Sequence, residues 1–101
     1  MAVKVLIKRR FKEGKDKEVF ALLNKLRAEA MLQTGYITGE SLIKHDDPQK
    51  ILVISTWHSM ENWLKWREDP GRKATEAMLQ QYLEKPTEHE AYVFGTYPTK
   101  K

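Results

Sequence analysis

The stretch Ile51-Leu52-Val53-Ile54-Ser55-Thr56-Trp57-His58-Ser59-Met60-Glu61-Asn62-Trp63-Leu64-Lys65-Trp66 changes period at its middle, and that change decides the fold. Ile51 to Ile54 is apolar at every position, so both faces of the strand it forms carry apolar side chains, as in a strand covered on both sides at the centre of a sheet. After Trp57 the spacing becomes helical. Ser59 is suited to cap a helix, Glu61 places negative charge in its first turn, and Trp63 and Trp66 share one face. All three tryptophans of the chain lie in this segment.

Working outward, Val3, Val5, Ile7, Arg9 and Phe11 alternate with Lys4, Leu6, Lys8 and Arg10, which predicts a first strand over 3–11 with one apolar face. Lys12 to Asp16 reads as a turn, with Gly14 free to take a positive φ and Asp16 as the cap. From Lys17 to Gln33, Val19, Leu22, Leu23, Leu26 and Ala30 recur at three and four, flanked by Phe20 and Met31, so an amphipathic helix follows and ends at Gly35. Tyr36 to His45 is a second strand with a bulge expected at Gly39. Asp46 to Gln49 reads as a turn, and Lys50 to Trp57 completes a hairpin. Asp69-Pro70-Gly71 interrupts the helical pattern, which resumes from Arg72 to Lys85 with Ala74, Ala77, Met78, Tyr82 and Leu83 inward. Glu88 to Tyr97 is the last strand, with Glu88, Glu90, Tyr92 and Phe94 on one side and His89, Ala91 and Val93 on the other.

The order is strand, helix, strand, strand, helix, strand. That is the βαββαβ pattern of a single α+β domain of ferredoxin-like type, with helices on one face of a four-stranded antiparallel sheet. Two helices cover only one face of such a sheet. An apolar middle strand therefore calls for a second cover, and a homodimer with two sheets face to face is expected.

Composition removes several functions. The 101 residues suffice for one core. Without cysteine there is no disulfide, thiolate metal site or cysteine nucleophile, and His45, His58 and His89 lack ligand spacing, so no metal is expected. Lys and Arg total 18 against 14 acidic residues, but the charges interleave; Lys8-Arg9-Arg10 and Lys100-Lys101 read as a strand end and a tail, not a nucleic-acid surface. No apolar run reaches membrane-spanning length, and the charges in the first residues follow the apolar ones, the reverse of a secretory leader, so a cytoplasmic location is expected. No Ser-His-Asp order, phosphate loop, HExxH or paired-carboxylate motif is present.

Four segments together make the chain resemble the antibiotic biosynthesis monooxygenase family of small dimeric α/β-barrel proteins: Lys12 to Lys15 (KEGK), Gln33 to Leu42 (QTGYITGESL), Ile51 to Trp66, and Glu88 to Gly95 (EHEAYVFG). The resemblance implies a dimeric barrel with a ligand pocket between sheet and helices in each subunit. In some members it also implies oxygenation of aromatic or quinol-type compounds without metal or prosthetic group. A heme-degrading branch of the same superfamily uses an Asn, a Trp and a His. Here those positions fall on Ile7, Trp66 and the neighbourhood of Glu76, so only the Trp is kept and heme degradation is disfavoured.

Cofactor-free oxygenation needs a dry pocket, an acceptor for a proton, and orientation. The residues assigned to the pocket wall are Ile7, Phe20, Leu23, Trp57, Trp63, Trp66, Met78 and Tyr82, each of which also reads as an ordinary core position. Three polar side chains are candidates for chemistry. Arg9 would hold an anion or pair with a carboxylate, His58 would act as a base at the strand-to-helix junction, and Glu76 would serve as a base if buried. Two functions follow: a cofactor-independent monooxygenase for a small aromatic or quinol-type compound, or a non-catalytic small-ligand-binding or stress-related dimeric barrel.

Overall fold

The computed structural model describes residues 1–95. Its elements run β1 (Val3–Arg10), α1 (Asp16–Ala30), β2 (Tyr36–Lys44), β3 (Asp47–Trp57), α2 (Met60–Arg67), α3 (Pro70–Leu79), a 3-10 turn (Gln80–Tyr82) and β4 (Glu88–Val93). The sheet order is β2-β3-β1-β4, every neighbouring pair antiparallel, which is the ferredoxin-like α+β arrangement. Register assigns the two faces. Val3 opposes Trp57, Val5 Ser55, Ile7 Val53 and Arg9 Ile51 on the face the helices cover, while Leu6 opposes Ile54 and Lys8 Leu52 on the other. Core packing follows: Val3, Val5, Ile7, Phe11, Ile51 and Trp57 are buried against Val19, Leu23, Leu26, Trp63, Trp66 and Leu79.

Local chemistry sets the boundaries. Ser59 caps α2, its Oγ accepting the Asn62 N–H at 3.1 Å while its hydroxyl donates to Asn62 Oδ1 at 2.7 Å. Asp69 caps α3 by accepting the Arg72 N–H at 3.1 Å, and Pro70 stands in the first turn, where its missing N–H costs nothing. Gly35 has φ +88°, and the place a Cβ would take there is filled by the Asn62 side chain. That glycine therefore seats α2 against the start of β2.

Several expectations need correction, among them the helix expected over 72–85, which runs Pro70–Leu79 and closes in a 3-10 turn at Tyr82. Helix α1 starts at Asp16 rather than Lys17 and ends at Ala30, with Lys15 at the cap position making no side-chain cap bond. Asp47-Pro48-Gln49 belongs to β3, because a proline is accommodated in the first residues of a strand. The irregularities in β2 lie between Tyr36 and Thr38 and between Ile43 and Lys44, not at Gly39. The inward face of α3 is Arg72, Thr75 and Leu79, with Ala74, Ala77 and Met78 outside. Residues 96 and 97 of the expected last strand lie outside the described residues.

Candidate functional site

Between the sheet and the helices lies a cavity of about 60 Å³. One water needs roughly 10–15 Å³ of such space, so there is room for about four; a cavity of about 150 Å³ is what takes up a benzene, so an aromatic ring seated here extends out through the mouth. Its floor is Ile7, Val53, Ser55 and Trp57; α1 contributes Leu23, Leu26 and Ala30, α2 Trp63 and Trp66, and α3 Arg72 and Glu76, with Tyr36 from β2 and Arg9 from β1. Arg27, Glu40 and Ser41 line it too and are exposed, which marks the mouth beside β2.

Aromatic side chains hold one another in edge-on and tilted contacts. Tyr36 meets Trp57 edge to face at 5.5 Å and 87°, and Trp57 meets Trp63 at 6.1 Å. The Trp57 indole N–H donates to Ser55 Oγ at 3.0 Å, which satisfies the one polar atom of a side chain with no exposed surface. Gly39 leaves room for the Tyr36 hydroxyl, since a Cβ there would lie 2.5 Å from it.

The charged end of the cavity is built by β1 and α3. Arg9 and Arg72 are 3% and 5% exposed, and both converge on one oxygen, Glu76 Oε2, at 2.6 and 2.8 Å. Arg72 Nη1 also donates to the Arg67 carbonyl at 3.3 Å, and its guanidinium lies 5.3 Å from the centre of the Trp63 ring. Its Nη2 is 3.3 Å from His89 Nε2, which accepts if the imidazole is neutral. Burial first, and then the Arg72 charge, hold the His89 pKa below its ordinary value, which agrees with that neutral form. Burial likewise lowers the Arg72 pKa, with Glu76 opposing it. Arg9 Nε is buried with no hydrogen-bond partner among the described residues.

Of the residues assigned to the wall from sequence, Ile7, Leu23, Trp57, Trp63 and Trp66 line this cavity. Phe20, Met78 and Tyr82 do not. Met78 points outward and is half exposed, because α3 turns Arg72 and Thr75 inward instead. Tyr82 sits at the far end of β1, where its carbonyl accepts the Lys12 N–H at 2.8 Å. Phe20 packs on the core about one helical turn before Leu23. Arg9 and Glu76 line the cavity as an ion pair, whereas His58 is exposed at the β3–α2 junction and takes no part.

Arg72, Tyr36 and His89 were not singled out from the sequence. Arg72 follows a helix-starting proline and carries a charge, so spacing alone makes it a surface residue. His89 reaches the site only because β4 pairs with β1, placing it opposite Ile7. The alternation of Glu88, His89, Glu90 and Ala91 was the available signal.

The sequence profile of the antibiotic biosynthesis monooxygenase family matches residues 2–78. A comparison with curated proteins found no match. Among solved structures, a conserved protein from Methanosarcina mazei Go1 is similar at 22% identity with a TM-score of 0.86, covering 91% of each chain. SnoaB, a cofactor-independent oxygenase from Streptomyces nogalater, is similar at 15% identity and a TM-score of 0.83 over 98% of each chain. Rv0793 from Mycobacterium tuberculosis gives 13% identity and 0.85, over 98% of this chain and all of the other. At these identities the likeness speaks for the fold.

Proposed function

The chain belongs to the antibiotic biosynthesis monooxygenase family, and from that premise we propose that it is a cofactor-independent monooxygenase acting on a small aromatic or quinol-type compound in the cavity between sheet and helices. The observation that carries this reading is a small space open at one mouth and walled by Tyr36, Trp57, Trp63 and Trp66, with fixed positive charge at one end. Aromatic walls orient a planar ring, and burial keeps water from it. A deprotonated, electron-rich substrate gives an electron to dioxygen and the two radicals join. Loss of water then turns a ring CH2 into C=O, one oxygen atom staying on the product and the other leaving as water. Guanidinium groups beside the ring favour the anionic form of the substrate.

The assembly proposed is a cytoplasmic homodimer. Its support is the open face of the sheet, where Leu6, Leu52 and Ile54 are half-buried in the single chain and Leu42, Tyr92 and Phe94 are exposed. Among the described residues no helix is long and apolar enough to cross a membrane.

Oxygen consumption with a panel of hydroquinones and anthrones tests the activity. Uptake is expected with at least one of them, lowered by Trp66→Phe and untouched by Tyr82→Phe, whose side chain stands outside the cavity. No uptake above buffer with any compound contradicts it. One observation favours the second reading, a non-catalytic ligand-binding or stress-related barrel: the cavity is smaller than one aromatic ring, so a polycyclic substrate requires the helices to part.

A further inference from the structure

We propose that the cavity binds a single-ring aromatic carboxylate, its anionic end on Arg9 and Arg72. Two buried guanidiniums share a single carboxylate oxygen, Glu76 Oε2, so these three side chains together carry about one positive unit. A buried charge without a counter-charge is costly, and a donor such as Arg9 Nε, which has no acceptor among the described residues, adds to that cost. An incoming oxyanion meets both needs at once. A carboxylate suits this better than a neutral phenol, because it is already ionised at neutral pH and accepts from guanidinium N–H groups in their own plane. Size and wall chemistry limit the rest of the ligand to a single ring, faced by Trp63 and Trp66 and extending toward the mouth beside β2.

The inference uses the same cavity as the proposed oxygenation but rests on its charge, and it holds whether or not oxygen chemistry follows. The test is calorimetric titration of the full chain with benzoate, and with benzamide and phenol as neutral rings of similar shape. Benzoate is expected to bind saturably, at least about tenfold tighter than either neutral compound. Arg9→Gln is expected to remove that preference and Lys8→Gln, whose side chain belongs to the other face, to keep it. Should Arg9→Gln fail to fold, Glu76→Gln serves, since it removes the one negative charge and retains an acceptor oxygen; benzoate should then bind at least about threefold tighter. Equal affinity for benzoate and benzamide, no benzoate binding, or equal losses in Arg9→Gln and Lys8→Gln would each overturn the proposal. So would weaker or unchanged benzoate binding in Glu76→Gln. Benzoate binding without oxygen uptake on any quinol removes the oxygenase reading alone, whereas uptake on neutral quinols without benzoate binding removes only this one.

Discussion

Strands β1 and β3 present two faces built from alternate residues of the same segments, and the faces have opposite fates. On the helix side, Val3, Val5, Ile7, Ser55 and Trp57 are buried, and charge appears only as Arg9, enclosed and paired with Glu76. On the open side, Leu6, Leu52 and Ile54 stand among Lys4, Lys8 and Glu90, and Lys8 meets Glu90 at 2.8 Å with both side chains well exposed. An ion pair under the helices is fixed in place and expensive to break, while one on the open sheet is solvated and worth little. The same pairing of Lys or Arg with Glu thus means a site in one place and a surface in the other.

The comparison predicts a graded set of effects. Trp57→Ala, at the fully buried end of the helix-side face, should cost about 3–5 kcal/mol in chemical denaturation; a loss below 1 kcal/mol would mean the core is not where the packing puts it. Glu76→Ala should cost about 3 kcal/mol, since it leaves two buried guanidiniums without their counter-charge. A neutral outcome would make the cluster a solvated pair like that of the open face. Ile54→Asp, on the open face, should weaken self-association about a hundredfold in sedimentation, roughly 2–3 kcal/mol, with the helix-side cavity unaffected. An unchanged monomer–dimer balance would separate that face from the interface. Lys8→Ala should leave the denaturation midpoint unmoved.

A last, modest effect is on pH. The His89 pKa lies below 6.5 in the fold, pushed down first by burial and then by Arg72, so the unfolded chain takes up its proton at higher pH than the folded one. Its contribution to stability is whole above pH 6.5 and is lost as pH falls through the folded value. Replacing it as His89→Gln should flatten the fall in midpoint on acidification, and an identical slope would place the ring outside the cluster.

Sequence alone was a good guide where burial and apolarity coincide. The alternation in β1, the Ser59 cap and the positive-φ Gly14 and Gly35 are local properties, and the structure keeps them. It misled in α3, where Met78 and two alanines looked inward and Arg72 and Thr75 are inward instead. Spacing assumes that charge seeks water, whereas Arg72 is buried because Glu76 is one turn away and the site completes itself with Arg9, 67 residues distant from Glu76. A partner so far along the chain leaves no trace in a helical pattern. For the same reason Arg9 was legible as the end of an apolar face, but its place in a two-to-one charge cluster was not.

The most direct measurement is an amide and indole N–H correlation spectrum of the full chain, recorded as benzoate is added. If the functional cavity lies beneath the helices, the indole signals of Trp57, Trp63 and Trp66 and the Nε–H of Arg9 move together and saturate, while the amides of Leu6, Leu52 and Tyr92 stay in place. Shifts confined to Leu6, Leu52, Ile54 and Tyr92, with the three indoles unmoved, would put ligand binding on the open face and contradict the account.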